Sequence, residues 1–176
     1  WMLGGTLLID GVKMSKSLGN FVTIKDALAR HRPEALRMFI LSGLYRSPAD
    51  FSESALEAAS KGSDRLNTAA RRVRDALKNP PDLGPDATPE MTNNLIETLD
   101  QMRMRFVSAM NDDFNAPLAL SVLFDLGTEA NRWIDKGIAA REALEQADNI
   151  FRELGGDVLG VIRAGEVAAS GSAARE

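Results

Sequence analysis

The chain has 176 residues, a formal net charge of −4 and no cysteine. This length suits one ordinary domain, or a small domain together with part of another. The lack of cysteine excludes disulfides and thiolate metal sites, and with His31 as the single histidine we expect no zinc site built from this chain alone. Apolar runs fall short of the roughly 18 residues that a membrane helix needs, so no membrane partner is predicted. The mild acidity argues against a wholly electrostatic nucleic-acid binder but is compatible with local basic faces.

The first predicted element is a β-hairpin. Residues 6–9 form a short β-prone run, and the Asp10-Gly11 pair that follows is a favoured two-residue turn. A single hairpin is only marginally stable in water, so we expect its partner strands to lie upstream, and we take the chain to be a fragment. The opening residues lack a basic flank and do not resemble a signal peptide.

Helical patterns follow the hairpin. Thr23 and Asp26 have the spacing of a capping box, and Pro33 suits the first turn of a second helix. Ser52 is placed to cap a longer third helix. The proline-rich stretch 79–85 must end that helix, because proline lacks an amide hydrogen and clashes with the preceding turn.

Three more helices are predicted downstream. Thr88-Pro89 opens the first of them. Pro117 opens the second, and Asn115 is its expected cap, with Asp113 as the alternative. The adjacent acids Asp112 and Asp113 precede this helix without a histidine or a second acid cluster, so a cap is favoured over a carboxylate pair for acid–base chemistry. The third carries residues 144–154 and should stop at Gly155-Gly156. Apolar side chains recur at helical spacing in all three, which indicates the core of a helical bundle.

One segment has the composition of a chemical site, and it lies between the hairpin and the first helix: Lys13-Met14-Ser15-Lys16-Ser17. Two ammonium groups three residues apart, set among hydroxyls, form a cationic loop that can cover a polyphosphate. Such a loop can neutralise the charge of a departing pyrophosphate. Composition alone favours a solvated surface turn, so the interpretation depends on the particular string of residues.

Three blocks, in order, resemble the cysteinyl-tRNA synthetases, a family of class I aminoacyl-tRNA synthetases. The blocks are residues 10–21 (DGVKMSKSLGNF), residues 37–48 (RMFILSGLYRSP) and residues 106–115 (FVSAMNDDFN). The pentapeptide at residues 13–17 is the class I signature. The three blocks together are typical of the cysteine enzyme.

The resemblance implies an ATP-dependent activation of L-cysteine to cysteinyl-adenylate, followed by transfer to tRNA(Cys). By that resemblance Lys16 contacts ATP, Lys13 neutralises the triphosphate, and Ser15 and Ser17 shape the loop or bond phosphate. Mg²⁺ would accompany ATP, and Zn²⁺ is expected in the intact enzyme with ligands outside this chain. The intact enzyme is expected to be a cytoplasmic monomer. The chain alone should be inactive, because the adenosine pocket and the amino-acid site of the family lie upstream.

A basic helix offers weaker candidates for nucleic-acid binding. Arg65 and Arg72 are seven residues apart and so share one helix face. The plain interpretation is a solvated face with ion pairs three or four residues apart. The alternative is contact with tRNA phosphates, which would add salt-dependent affinity without base specificity. Farther upstream, Arg46 is expected to pin the loop segment to the bundle.

The predicted fold is mostly α, with a short N-terminal β-hairpin and signature loop ending a Rossmann-type catalytic domain, followed by an α-helical bundle. The expected boundaries are residues 1–50 for the catalytic end, 51–165 for the bundle and 166–176 for a disordered tail. Two alternatives stay open. One is a cysteine ligase of mycothiol synthesis, whose loop commonly has Arg where this chain has Leu18. The other is a non-catalytic helical module that binds tRNA or a protein.

Overall fold

The structure is a computed structural model that describes residues 1–163, so the tail predicted at residues 166–176 lies outside the described part. In chain order, the elements are β1 (Leu7–Ile9), β2 (Val12–Lys13), a short 3-10 turn (Lys16–Leu18), α1 (Ile24–Arg30), α2 (Pro33–Leu41), β3 (Ala49–Asp50), α3 (Glu53–Lys78), α4 (Pro89–Asn111), α5 (Ala116–Asp135) and α6 (Arg141–Ile150). Helices dominate, as predicted. None of the helices in this range is both long and apolar enough to cross a bilayer.

The small sheet corrects one prediction. β1 and β2 form the expected antiparallel hairpin, with Ile9 opposite Val12. The partner of β1 on its other side is β3, which pairs with it in parallel and lies downstream within this chain. The expectation of partner strands upstream overlooked β3, because a two-residue strand has no periodicity of its own. It exists by pairing with a segment some 40 residues away.

Most helices begin where the local sequence supplies a cap. Thr23 and Asp26 form the predicted capping box, with the Asp26 amide donating to the Thr23 hydroxyl at 3.0 Å. The side chains of Ser52, Thr88 and Asn115 each accept a bond from the amide three residues later, at 3.4, 3.1 and 3.2 Å. Each bond satisfies one of the amides that a helix start leaves unpaired, so these predicted starts are confirmed.

Helices α3 to α6 enclose one apolar core. Its largest fully buried side chains include Trp133 and Phe151, and α3 contributes Leu66 and Val73. Met38 of α2 belongs to the same core, so α2 rests on α3 rather than standing apart with the hairpin. Among the described residues, those of the hairpin and the signature loop do not belong to this core.

The end of α6 differs from the prediction. Gly155-Gly156 does not stop the helix, which continues in wider turns over Phe151–Val158. Gly155 has a packing role instead, since a Cβ there would lie 2.5 Å from Cδ1 of Ile162. The chain turns at Gly160, whose φ of +64° is a conformation that favours glycine.

Candidate functional site

The signature segment forms a compact turn at the end of the hairpin. The Ser15 hydroxyl caps the 3-10 turn by accepting a bond from the Leu18 amide at 3.3 Å. Gly19 ends the turn with φ +68°, and its amide donates to the Lys16 carbonyl at 3.2 Å. The hydroxyl oxygens of Ser15 and Ser17 lie 3.1 Å apart. The structure thus brings together the two serines that the sequence singled out.

Asn20 closes this turn into a loop. Its Oδ1 accepts a bond from the Ser15 amide at 2.9 Å, and its Nδ2 donates to the Lys13 carbonyl at 3.3 Å. One side chain therefore joins both ends of the lysine-containing segment. The sequence analysis assigned no role to Asn20. The sequence feature that could have revealed this role is the Gly19-Asn20 pair, because Asn side chains readily bond nearby backbone groups in turns.

The two lysines are exposed and differ in their surroundings. The Lys16 ammonium lies 5.7 Å from the centroid of the Phe21 ring, within reach of a cation–π attraction. Lys13 ends β2, opposite Leu8 of β1. The hairpin turn is held in place by the Gly11 amide, which donates to a carboxylate oxygen of Asp50 at 2.9 Å. The arrangement presents two cations on a backbone fixed at both ends, which suits it to phosphate oxygens.

A groove of about 730 Å³ lies between the start of the chain, α2 and α3. Apolar side chains such as Met38, Phe39 and Phe124 line it, and residues 13–20 do not. Among residues 1–163 there is no group of three or more His, Cys, Asp or Glu side chains arranged to hold a metal ion.

Arg65 and Arg72 both lie along the contact of α3 with α5. The Arg65 guanidinium sits 5.5 Å from the Phe124 ring centroid and donates to the Thr128 hydroxyl at 3.4 Å. Arg72 is ion-paired with Asp135, and the hydrogen bond between them lowers the pKa of that carboxyl.

The plain interpretation of this helix was ion pairs within it. Lys61 and Glu57 form such a pair at 2.7 Å. Arg72 instead bridges two helices, because α5 places a carboxylate beside it. Contact of Arg65 and Arg72 with tRNA stays a prediction.

Two family models match the chain. The model described as the tRNA synthetases class I (C) catalytic domain matches residues 1–61, and the DALR domain matches residues 105–163. The first match contains the hairpin and the signature loop. The second begins within α4 and reaches the end of the described residues.

Curated relatives and one solved structure agree with these matches. The cysteine–tRNA ligase of Halalkalibacterium halodurans is 41% identical over 161 residues, which are 92% of this chain and 33% of the relative. That of Heliobacterium modesticaldum is 42% identical over 174 residues, 97% of this chain and 36% of the relative. The fold resembles a LeuRS–tRNA–LeuAMS complex from Agrobacterium radiobacter K84, with a TM-score of 0.64 and 21% identity over 86% of this chain and 19% of that one.

The family models and the curated relatives place the chain among the class I aminoacyl-tRNA synthetases, and the solved structure agrees with them in fold. Within that class the chain belongs to the cysteinyl-tRNA synthetase family, which confirms the resemblance drawn from its motifs. The chain spans about one third of the length of the curated relatives it matches.

Proposed function

We propose that the protein containing this chain is a cysteine–tRNA ligase. It joins L-cysteine to the α-phosphate of ATP, releases pyrophosphate, and transfers the cysteinyl group from the adenylate to tRNA(Cys). The observation that supports this most directly is the loop of residues 13–20, which two side-chain bonds of Asn20 hold together. This loop carries both signature lysines at the end of a hairpin. Family membership supplies the amino acid, since the curated relatives are named cysteine–tRNA ligases.

The proposed roles follow from the chemistry of adenylate formation. Negative charge develops on the leaving pyrophosphate, and ammonium groups held against it stabilise the transition state. We assign that role to Lys16 and Lys13, with Lys16 as the principal ATP contact. Ser15 and Ser17 shape the turn and bond phosphate oxygens, and Asn20 holds the loop in one conformation beforehand.

The metals and partners complete the proposal. Mg²⁺ enters bound to ATP, whose phosphate oxygens are its preferred kind of ligand. Zn²⁺ takes ligands outside this chain, and no step here depends on it. Residues 1–50 end the catalytic domain and residues 51–165 form the bundle that meets tRNA, with Arg65 and Arg72 as secondary contacts. The enzyme acts as a cytoplasmic monomer.

The test is cysteine-dependent exchange of labelled pyrophosphate into ATP, catalysed by the complete product of the coding frame that contains this chain. Exchange is expected with cysteine and not with serine. Lys16→Ala should lower kcat by about 10²–10³, the usual effect of removing one preorganised transition-state contact. Lys136→Ala is the control, because Lys136 is an exposed lysine at the far end of α5. The proposal would be contradicted if the protein catalysed no exchange, or if Lys16→Ala lowered kcat no more than Lys136→Ala does.

Two further measurements separate the alternatives. Charging of tRNA(Cys) is expected, whereas transfer of cysteine to an amino sugar would identify the mycothiol-type ligase. Leu18 favours the tRNA enzyme.

The purified 176 residues alone should show no exchange. Exchange by this chain alone would contradict the proposal that it needs an adenosine pocket from elsewhere. A protein that binds tRNA and lacks all exchange would be the non-catalytic module.

A further inference from the structure

The hairpin that carries the signature loop is attached to the helical body through residues 45–51. This strip contains β3, which pairs with β1. The Gly5 amide, just before β1, donates to the Tyr45 carbonyl at 2.7 Å. A Cβ on Gly5 would lie 2.0 Å from the carbonyl oxygen of Ser47, so the two backbones are in direct contact there. Any movement of residues 45–51 must therefore move the hairpin.

The same strip is bound to the turn between α4 and α5 by a single carboxylate. The Tyr45 hydroxyl donates to Oδ1 of Asp113 at 2.8 Å, and the Arg46 guanidinium is ion-paired with Oδ2. Both oxygens of Asp113 are thus engaged by consecutive residues that lie 68 and 67 positions earlier. The ion pair between Arg46 and Asp113 confirms that Arg46 pins the loop segment to the bundle. The sequence analysis had connected neither Asp113 nor Tyr45 with this contact.

The turn that holds Asp113 has an unusual backbone. Asp113 and Phe114 have φ values of +51° and +52°, in the left-handed region that side chains disfavour. The Phe114 amide donates to the Met110 carbonyl at 3.1 Å, and the next amide, of Asn115, donates to the Ala109 carbonyl at 3.1 Å. Strained conformations persist where the surrounding bonds enforce them, and they occur often at functional positions. The carboxylate is therefore presented from a stiff support.

We propose that Asp113 is a positioning residue for the signature loop. Through Tyr45 and Arg46 it fixes the orientation of the hairpin, and with it Lys13 and Lys16, relative to the bundle. We call these three residues the Asp113 clamp. The orientation is a property of this chain, whereas its part in catalysis rests on the proposed function. In a synthetase the clamp links the side that meets tRNA to the loop that meets ATP.

The orientation can be measured directly, because the chain has no cysteine and accepts labels at chosen sites. Spin labels on Val12→Cys in the hairpin and Met104→Cys on α4 occupy exposed positions, and double electron–electron resonance gives the distribution of distances between them. The variant is Asp113→Gly, which removes the carboxylate and keeps the left-handed backbone. The matched control is Asp112→Gly, one residue earlier, at a φ of −88°.

The parent chain should give one narrow distribution. Asp113→Gly should broaden it, with the ratio of clamped to unclamped molecules falling about fivefold for the loss of an exposed ion pair and a hydrogen bond. Asp113→Asn keeps a bond for Tyr45 and should be intermediate, and Asp112→Gly should match the parent. An Asp113→Gly distribution as narrow as the parent's would overturn the proposal. So would equal broadening by Asp112→Gly.

A second readout addresses catalysis in the complete gene product. Asp113→Gly should lower kcat of pyrophosphate exchange and leave KM for cysteine unchanged, and Asp113→Asn should partly restore kcat. A parental kcat in Asp113→Gly would overturn the role in catalysis. If the parent protein shows no exchange at all, the proposed function fails, and the distance distributions still decide whether the clamp exists.

Discussion

Asn20→Ala is the sharpest perturbation of the candidate site. The Asn20 side chain makes two bonds across the loop, to the Ser15 amide at 2.9 Å and to the Lys13 carbonyl at 3.3 Å. Alanine removes both bonds without adding bulk. The variant should leave the helical body intact and free the loop.

The magnitude follows from the two bonds. Each contributes a net of about 1 kcal/mol, so opening of the loop should become easier by about 2 kcal/mol, or about 30-fold. The assay is hydrogen exchange of the Ser15 amide, followed by NMR. Its exchange rate should rise by up to that factor, because in the parent protein this amide is protected by Asn20.

Two comparisons make the result decisive. Amides of Leu66 and Ala70 in the buried face of α3 report on global unfolding and should exchange at the parental rate. Asn20→Asp retains an oxygen for the Ser15 amide and should protect it better than alanine does. If Ser15 exchanges equally fast in the parent and in Asn20→Ala, Asn20 does not hold the loop.

Three further outcomes concern the helical body. Gly155→Ala should destabilise the fold by about 1–3 kcal/mol in urea titrations, since its Cβ would overlap Ile162, and an unchanged midpoint would contradict the packing described. Trp133→Ala should cost about 3–5 kcal/mol in the same titration, because this side chain is fully buried; a loss below 1 kcal/mol, the size of a surface substitution, would mean that the core lies elsewhere. The Arg103 guanidinium bonds both oxygens of Glu153, at 2.5 and 2.6 Å, and lowers the pKa of that carboxyl from its ordinary 4.5. The ion pair therefore stabilises the fold above pH 4.5, and this stabilisation is lost as the pH falls through the lower pKa that Glu153 has in the folded protein. In Arg103→Gln the free energy of unfolding should therefore fall less on acidification than it does in the parent. Equal losses in the two proteins would refute the link between Arg103 and the pKa of Glu153.

Features that depend on a few neighbouring residues were accessible from the sequence. The starts of the helices capped by Thr23, Ser52, Thr88 and Asn115 were predictable, because a cap bonds an amide three residues away. The identity of the loop was equally local, since five consecutive residues carry the class I signature. These interactions form within a segment and need no knowledge of the rest of the fold.

Features that depend on distant segments were decided only by the tertiary structure. β3 is two residues long and exists because β1 lies beside it. The helical turns that follow α6 continue through Gly155, where Ile162 occupies the space that a side chain would need. The partner of Arg72 is supplied by α5 rather than by its own helix. Asp113 looked like one of two adjacent acids before a helix, and its bonds to residues 67 and 68 positions away have no local signature. Local sequence determined what each segment forms, and long-range packing determined which side chains meet.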